Sequence, residues 1–223
     1  MGRTMEAGLV NVDFHCHTIF SQDSLTRPES LVSIAHRRRL DHVVITDHNT
    51  IAGAVAAQAL DPDLVIVGEE IMTASGEILA VYLTEEIVPG LTAKETIKRL
   101  RDQSAFISIS HPFDTYRSGS WEWEDLIEIA PLVDAIEIFN ARSIKPGSNR
   151  HAREFAQQYQ LSGTAGSDAH SVNEIGAAWL LLPSFSDAGS LRVVVGQGKV
   201  QGHISPFWVH FYSRFAHLYK KVV

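Results

Sequence analysis

One local pattern recurs along the whole chain: a short apolar run rich in β-branched residues stops at polar or turn residues and gives way to a helical stretch. Strand-type runs fall at residues 10–14, 42–46, 64–68, 78–83, 106–110, 135–139, 162–165 and 178–182. Helical spacing covers residues 27–39, 93–103, 121–130, 149–159 and 187–196, and Pro28 and Glu29 suit the start of the first. Nearly continuous apolar strands alternating with helices predict an α/β fold, a parallel sheet covered by helices. A small closed barrel and an open doubly wound sheet both satisfy the pattern. No Pro/Gly/Ser-rich linker divides the chain, so residues 1–205 are expected to form one domain and residues 206–223 a C-terminal amphipathic helix.

Residues able to do chemistry collect at one end of these runs. His15 and His17 close the first strand, Asp47 and His48 follow the second, Glu69 and Glu70 the third, and His111 follows residues 106–110. Glu137 lies in the strand ending at Asn140, and Asp168 and His170 come after Gly166-Ser167. The carboxyl edge of the strands is where α/β proteins assemble their sites, so one shared pocket accounts for the set. Residues two apart in an extended segment project to one side, which lets His15 and His17 grip a single ion while Cys16 points away. Asp168 and His170 repeat that spacing. Imidazole with carboxylate suits Zn²⁺, Mn²⁺ or Fe²⁺, and a carboxylate such as Glu70 can bridge two ions, so a multinuclear hydrolytic centre is expected. His36, His42, His151, His203, His210 and His217 have no such placement and read as solvated. Asp47 reads as a support for His48 or another ligand, and Cys16 as packing.

Composition narrows the partners. Twenty-six acidic against 19 basic residues, a net charge of −7, argue against a broad nucleic-acid surface. The lone cysteine cannot form an internal disulfide, and no apolar run approaches the ~18 residues of a spanning helix. Residues 1–6 lack an apolar signal core, and Glu6 is wrong for a myristoylation motif, so a cytoplasmic protein without a membrane span is expected.

In order along the chain, the segments D-F-H-C-H, T-D-H-N, G-E-E-I, S-H-P, I-E-I-F-N-A-R and G-S-D-A-H resemble the PHP (polymerase and histidinol phosphatase) family of metal-dependent phosphoesterases. The resemblance runs from about Val10 to Leu182 and, through Asn149-Arg150-His151-Ala152, leans toward the small members that act without a polymerase attached. It implies a distorted, seven-stranded (β/α) TIM-like barrel with two or three divalent ions, Mn, Zn or Fe, at the carboxyl face. Carried residue by residue, it makes His15, His17, Glu70 and Asp168 ligands of one ion, with Glu70 bridging to a second held by His111. Asp23, His48 and His170 would form a third position. Gly68 fixes the count that selects Glu70 over Glu69. The chain departs from the family pattern at Asp23, where some members have histidine, and at Glu137 and Asn140 near the fifth motif.

These readings give a phosphoesterase acting on small phosphorylated metabolites, nucleotides or short oligonucleotides. Metal binding lowers the pKa of water from 15.7 to about 7, so a metal-bound hydroxide is available without a Ser or Cys nucleophile. Glu70, His111, Asp168 and His170 are the residues expected to carry catalysis. Arg117 and Arg142 are expected to hold phosphate oxygens. The competing classes are a metal-dependent amidohydrolase, which also opens with H-x-H but commonly bridges its ions with a strand lysine, and a non-catalytic metal- or nucleotide-binding module. Self-association into a homo-oligomer is compatible with the sequence.

At the C-terminus, Trp208, Phe211, Tyr212, Phe215, Leu218 and Tyr219 follow helical spacing, with Arg214, Lys220 and Lys221 elsewhere. This aromatic face is expected to dock on the barrel or on a sister subunit in preference to a membrane surface, because the polar face carries few cations.

Overall fold

A computed structural model describes residues 8–222; the segment read above for a leader, residues 1–6, lies outside them. The chain runs β1 (Leu9–Cys16), α1 (Pro28–Arg38), β2 (His42–Ile45), α2 (Ala52–Gln58), β3 (Val65–Met72), β4 (Glu77–Val81), α3 (Ala93–Asp102) and β5 (Phe106–Ile109). It continues through α4 (Trp123–Ile129), β6 (Ala135–Asn140), α5 (Ser148–Tyr159), β7 (Ser162–Gly166), β8 (Ala178–Pro183), α6 (Ala188–Val194), β9 (Lys199–Gly202) and α7 (Val209–Val222). The helix signals act where the sequence places them. Pro28 opens α1, the Thr92 side chain accepts the Glu95 amide at the head of α3, and Asp187 with Ser190 forms a capping box on α6.

The nine strands of the described residues join one sheet in the order β7-β6-β5-β4-β3-β2-β1-β8-β9. The resemblance implies seven strands and the apolar runs mark eight; the described residues form nine, with β8 and β9 extending the sheet beyond β1 as antiparallel neighbours. The sheet is not wholly parallel either. β4 runs antiparallel to β3, because the turn at Thr73–Gly76 is far too short for a crossover, and it is antiparallel to β5 as well. Both faces of the strands are covered, which is why they read as continuous apolar runs. Along β2, Val44 faces the inner cluster with Val12, Phe14, Ile66 and Phe106, while Val43 and Ile45 face the helices.

The sheet curls until its two sides nearly meet. Beyond β7, the Asp168 amide donates to His15 O at 2.7 Å and the His17 amide to Ala169 O at 2.9 Å. Gly166 permits this approach, since a Cβ there would lie 2.3 Å from His15 Cβ. We expect Gly166→Ala to cost about 1–3 kcal/mol of stability through overpacking. A thermal midpoint equal to wild type would show that β7 and β1 are free to part.

A candidate metal centre

Three local devices aim side chains into the carboxyl mouth of the barrel. In β1, Val12 and Phe14 face inward, and the register then shifts between Asp13 and Cys16. That irregularity re-aims the strand, so His15 and His17 enter the mouth while Cys16 packs in the outer core. In β3 plain alternation suffices: Ile66 faces inward, and so does Glu70, whereas Glu69 turns out to accept the Ile87 amide at 2.9 Å. After β7, Asp168 adopts a left-handed backbone (φ 53°), a conformation aspartate tolerates better than most residues.

Four ligand atoms converge. His15 Nε2 lies 3.0 Å from His17 Nε2, 3.2 Å from Glu70 Oε2 and 3.6 Å from Asp168 Oδ1. His17 Nε2 lies 3.4 Å from Glu70 Oε2 and 3.3 Å from Asp168 Oδ1. A tetrahedron of N and O donors around an ion at about 2.0–2.1 Å has edges of about 3.3–3.4 Å. The five separations, 3.0–3.6 Å, bracket that edge, and the His15, His17 and Glu70 donors lie close enough to one another to share an ion. Glu70 Oε2 and Asp168 Oδ1 are buried without a hydrogen-bond partner, a costly state for a carboxylate oxygen that a cation relieves. The donor set fits a divalent ion.

Around this core the other expected residues gather. His111 Nε2 is 3.1 Å from Glu70 Oε1, His48 Nδ1 is 3.1 Å from Glu70 Oε2, and His170 Nε2 is 3.1 Å from Asp23 Oδ2. Asp23 Oδ1 faces His48 Nε2 at 3.7 Å and is likewise unpartnered. All eight expected ligands thus lie in one contiguous cluster.

The electrostatics are those of a charge network held out of water. Burial alone would lower the His15 pKa, but the Glu70, Asp168 and Glu137 carboxylates outweigh it and hold the imidazole well above its usual range. His17 goes the other way, lowered by burial and by the neighbouring His170 and His48. Burial opposes ionisation of Asp168, yet Arg117 and His15 keep its pKa well below the ordinary carboxylate range.

Supporting residues fix the ligands. Glu137 Oε1 accepts from His15 Nδ1 at 3.0 Å, and its Oε2 accepts the His111 amide and Asn140 Nδ2, each at 3.0 Å. Glu137 and Asn140 therefore buttress ligands. Asp47 accepts from Ser21 Oγ at 2.8 Å, and Ser21 Oγ in turn meets His17 Nδ1 at 3.0 Å and accepts the His48 amide. Asp47 thus supports His17 and the His48 backbone through Ser21. Cys16 lies 3.4 Å from Ser167 Oγ, and burial raises its thiol pKa, so it offers no thiolate nucleophile.

Sequence reasoning missed Glu77. Its carboxylate lies 3.4 Å from His111 Nε2 and 3.8 Å from His48 Nδ1, and burial together with the Glu70 charge raises its pKa to about 7. It supplies the carboxylate beside His111 that the motifs left open. The signal was Ser75-Gly76: a tight turn there makes the next strand antiparallel, and an antiparallel strand brings its amino end to this mouth.

A cavity of 660 Å³ opens over the cluster, lined by Asp23, His48, Glu77, Tyr116, Arg117, Arg142 and His170, and on one wall by His210, Ser213 and Arg214 of α7. Arg117 Nη1 donates to Asp168 Oδ2 at 2.5 Å. Arg142 is more deeply committed than its expected role implies: it pairs with Glu174 at 3.0 Å and donates to Ser213 Oγ at 2.9 Å, tying α7 to the barrel.

With this geometry in place, the likeness to known proteins is informative. A family model described as a PHP domain matches residues 13–103, and one described as PHP-associated matches residues 146–192. An uncharacterized protein of Methanocaldococcus jannaschii is 36% identical over 176 residues, 77% of this chain and 70% of that protein. A two-domain protein of Bacteroides vulgatus, described as containing a predicted PHP-like metal-dependent phosphoesterase, superposes with a TM-score of 0.70 at 20% identity over 87% of this chain. This chain spans 65% of that longer protein. PsfC of Pseudomonas syringae superposes with a TM-score of 0.68 at 15% identity, over 96% of this chain and 99% of its own.

Proposed function

Because the chain belongs to the PHP family, whose structural relatives include PHP-like metal-dependent phosphoesterases, we propose that it hydrolyses phosphate esters of small metabolites, nucleotides or short oligonucleotides. The observation that carries this reading is the set of four converging ligand atoms, two of them unpartnered carboxylate oxygens, at the floor of a cavity walled by arginine. His15, His17, Glu70 and Asp168 would hold one ion, Glu70 with His111 and Glu77 a second, and Asp23, His48 and His170 a third. Divalent ions, Mn²⁺, Zn²⁺ or Fe²⁺, supply an activated water and offset charge on the phosphoryl group.

The chain's own residues do the rest. Glu137 holds the His15 ring with Nδ1 toward the protein and Nε2 toward the mouth, and Ser21 does the same for His17. Arg117, only partly covered, presents its remaining N–H groups to a phosphate over the cluster, while Arg142, paired with Glu174, ties α7 to the cavity wall. The cavity volume suits a metabolite or nucleotide.

The test is phosphate release from nucleotides, nucleoside bisphosphates, short oligonucleotides and sugar phosphates with Mn²⁺ supplied and a chelated control. Chelator-sensitive turnover on one class supports the reading. Silence across the panel with metal bound shifts it to amide hydrolysis or a binding module. Within an active class, Arg117→Ala is expected to raise KM by roughly tenfold. An unchanged KM removes Arg117 from substrate binding.

A further inference from the structure

Helix α7 is docked by the face opposite to the one its sequence recommends. Val209 and Ala216 are buried and Ser213 and Lys220 half-buried, so a narrow stripe of small and polar residues meets the barrel, while Trp208, Phe211, Phe215 and Leu218 are exposed. Both ends of the helix are tied across the mouth. Near its start, Arg142 Nη2 donates to Val209 O at 3.4 Å and to Ser213 Oγ at 2.9 Å, and at its far end Lys220 Nζ donates to the carbonyls of Ile19 and Ser21. So held, α7 is a fixed wall of the cavity over the metal ligands, to which it contributes His210, Ser213 and Arg214. Neither family match reaches this wall, since the later one ends at residue 192.

The cations lining the cavity are unequally committed. Arg117 is paired with Asp168 and Arg142 with Glu174, and the Asp114 carboxylate accepts the Ile144 and Lys145 amides. Arg214 lines the same cavity, is exposed, and has neither an ion pair nor a hydrogen bond among the described residues. His210 complements it. Its Nδ1 lies 3.5 Å from Arg142 Nη2, and because a guanidinium only donates, Nδ1 accepts and the ring proton sits on Nε2. Burial and the Arg142 and Arg117 charges lower the His210 pKa to about 4, so the ring is a neutral donor near neutral pH. An unpaired guanidinium and a neutral N–H donor on one helix suit an anion.

That anion is not the phosphate under attack. Arg117, which touches the ligand Asp168, faces the phosphate over the cluster, whereas Arg214 touches no ligand. A cavity of 660 Å³ also holds far more than a single phosphate. We propose that Arg214 and His210 bind a second anionic group of the substrate, a phosphate or a carboxylate, so that doubly anionic phosphoesters are the preferred substrates. The proposal rests on the phosphoesterase reading and narrows its substrate class.

The experiment gives the whole chain, reconstituted with Mn²⁺, two matched pairs: glucose monophosphate beside glucose bisphosphate, and glycerol phosphate beside phosphoglycerate. Phosphate release and calorimetric binding are both measured. In at least one pair the doubly anionic member is expected to have a kcat/KM roughly tenfold or more above its partner, chiefly through KM. Which pair shows it tells a second phosphate from a carboxylate. Arg214→Gln is expected to bring that ratio close to one and Arg214→Lys to restore part of it, with the thermal midpoint of wild type in both variants. Equal kcat/KM within both pairs, or a preference that Arg214→Gln leaves intact, overturns the proposal. If nothing is hydrolysed, binding decides. Tighter, Arg214-dependent binding of the doubly anionic member keeps the subsite and removes the phosphoesterase reading, whereas equal binding removes the subsite.

Discussion

Glu70→Ala is expected to lower kcat/KM by about a thousandfold or more, equivalent to about 4 kcal/mol of transition-state stabilisation. Both oxygens of this carboxylate are in use. Oε2 stands 3.2 Å from His15 Nε2, 3.4 Å from His17 Nε2 and 3.1 Å from His48 Nδ1, while Oε1 accepts from Ser110 Oγ at 2.7 Å and faces His111. No neighbour can take over a position that touches four imidazoles. The variant should also lose bound metal, which separates a ligand from a residue that acts on substrate alone. His36→Ala is the matched control: His36 is exposed, pairs only with Asp61 on the far surface, and should leave metal and turnover near wild type. Equal behaviour of the two variants would sink the assignment.

Glu137→Ala is expected to weaken metal binding by about 10–100-fold without removing any ligand atom. Its Oε1 holds the Nδ1 proton of His15, which fixes the tautomer that leaves the Nε2 lone pair facing the mouth. Its Oε2 also takes the His111 amide, so one carboxylate aligns a ligand from each of two strands. Metal titration of the variant reads the effect directly. Wild-type affinity would show that packing alone orients His15, since both side chains are fully buried.

Much of this site was legible because its chemistry sits at strand ends, and strand ends can be read from apolar runs. His15, His17, His48, His111, Asp168 and His170 all follow that rule, and Glu70 follows it through simple alternation in β3. Glu77 escaped because the rule assumes a parallel sheet, and β4 enters the mouth from its amino end. Glu137 was visible as a residue but not as a role, since only three-dimensional contact shows that it grips His15 Nδ1. Helix α2 was missed because Ala-Gly-Ala-Val-Ala-Ala-Gln has neither a capping signal nor a contrasting polar face. The C-terminal helix was found, but its periodicity could not tell which face docks. A stripe of small side chains packs closely on the barrel, and that contest is decided by fit rather than by hydrophobicity.

Whether the converging histidines and carboxylates form a multinuclear metal centre is read by elemental analysis of the purified chain after reconstitution with Mn²⁺, Zn²⁺ or Fe²⁺. At least two ions per chain are expected, falling in Asp168→Ala together with turnover and unchanged in His36→Ala. A protein that holds at most one ion, or whose metal content is indifferent to Asp168, would contradict it.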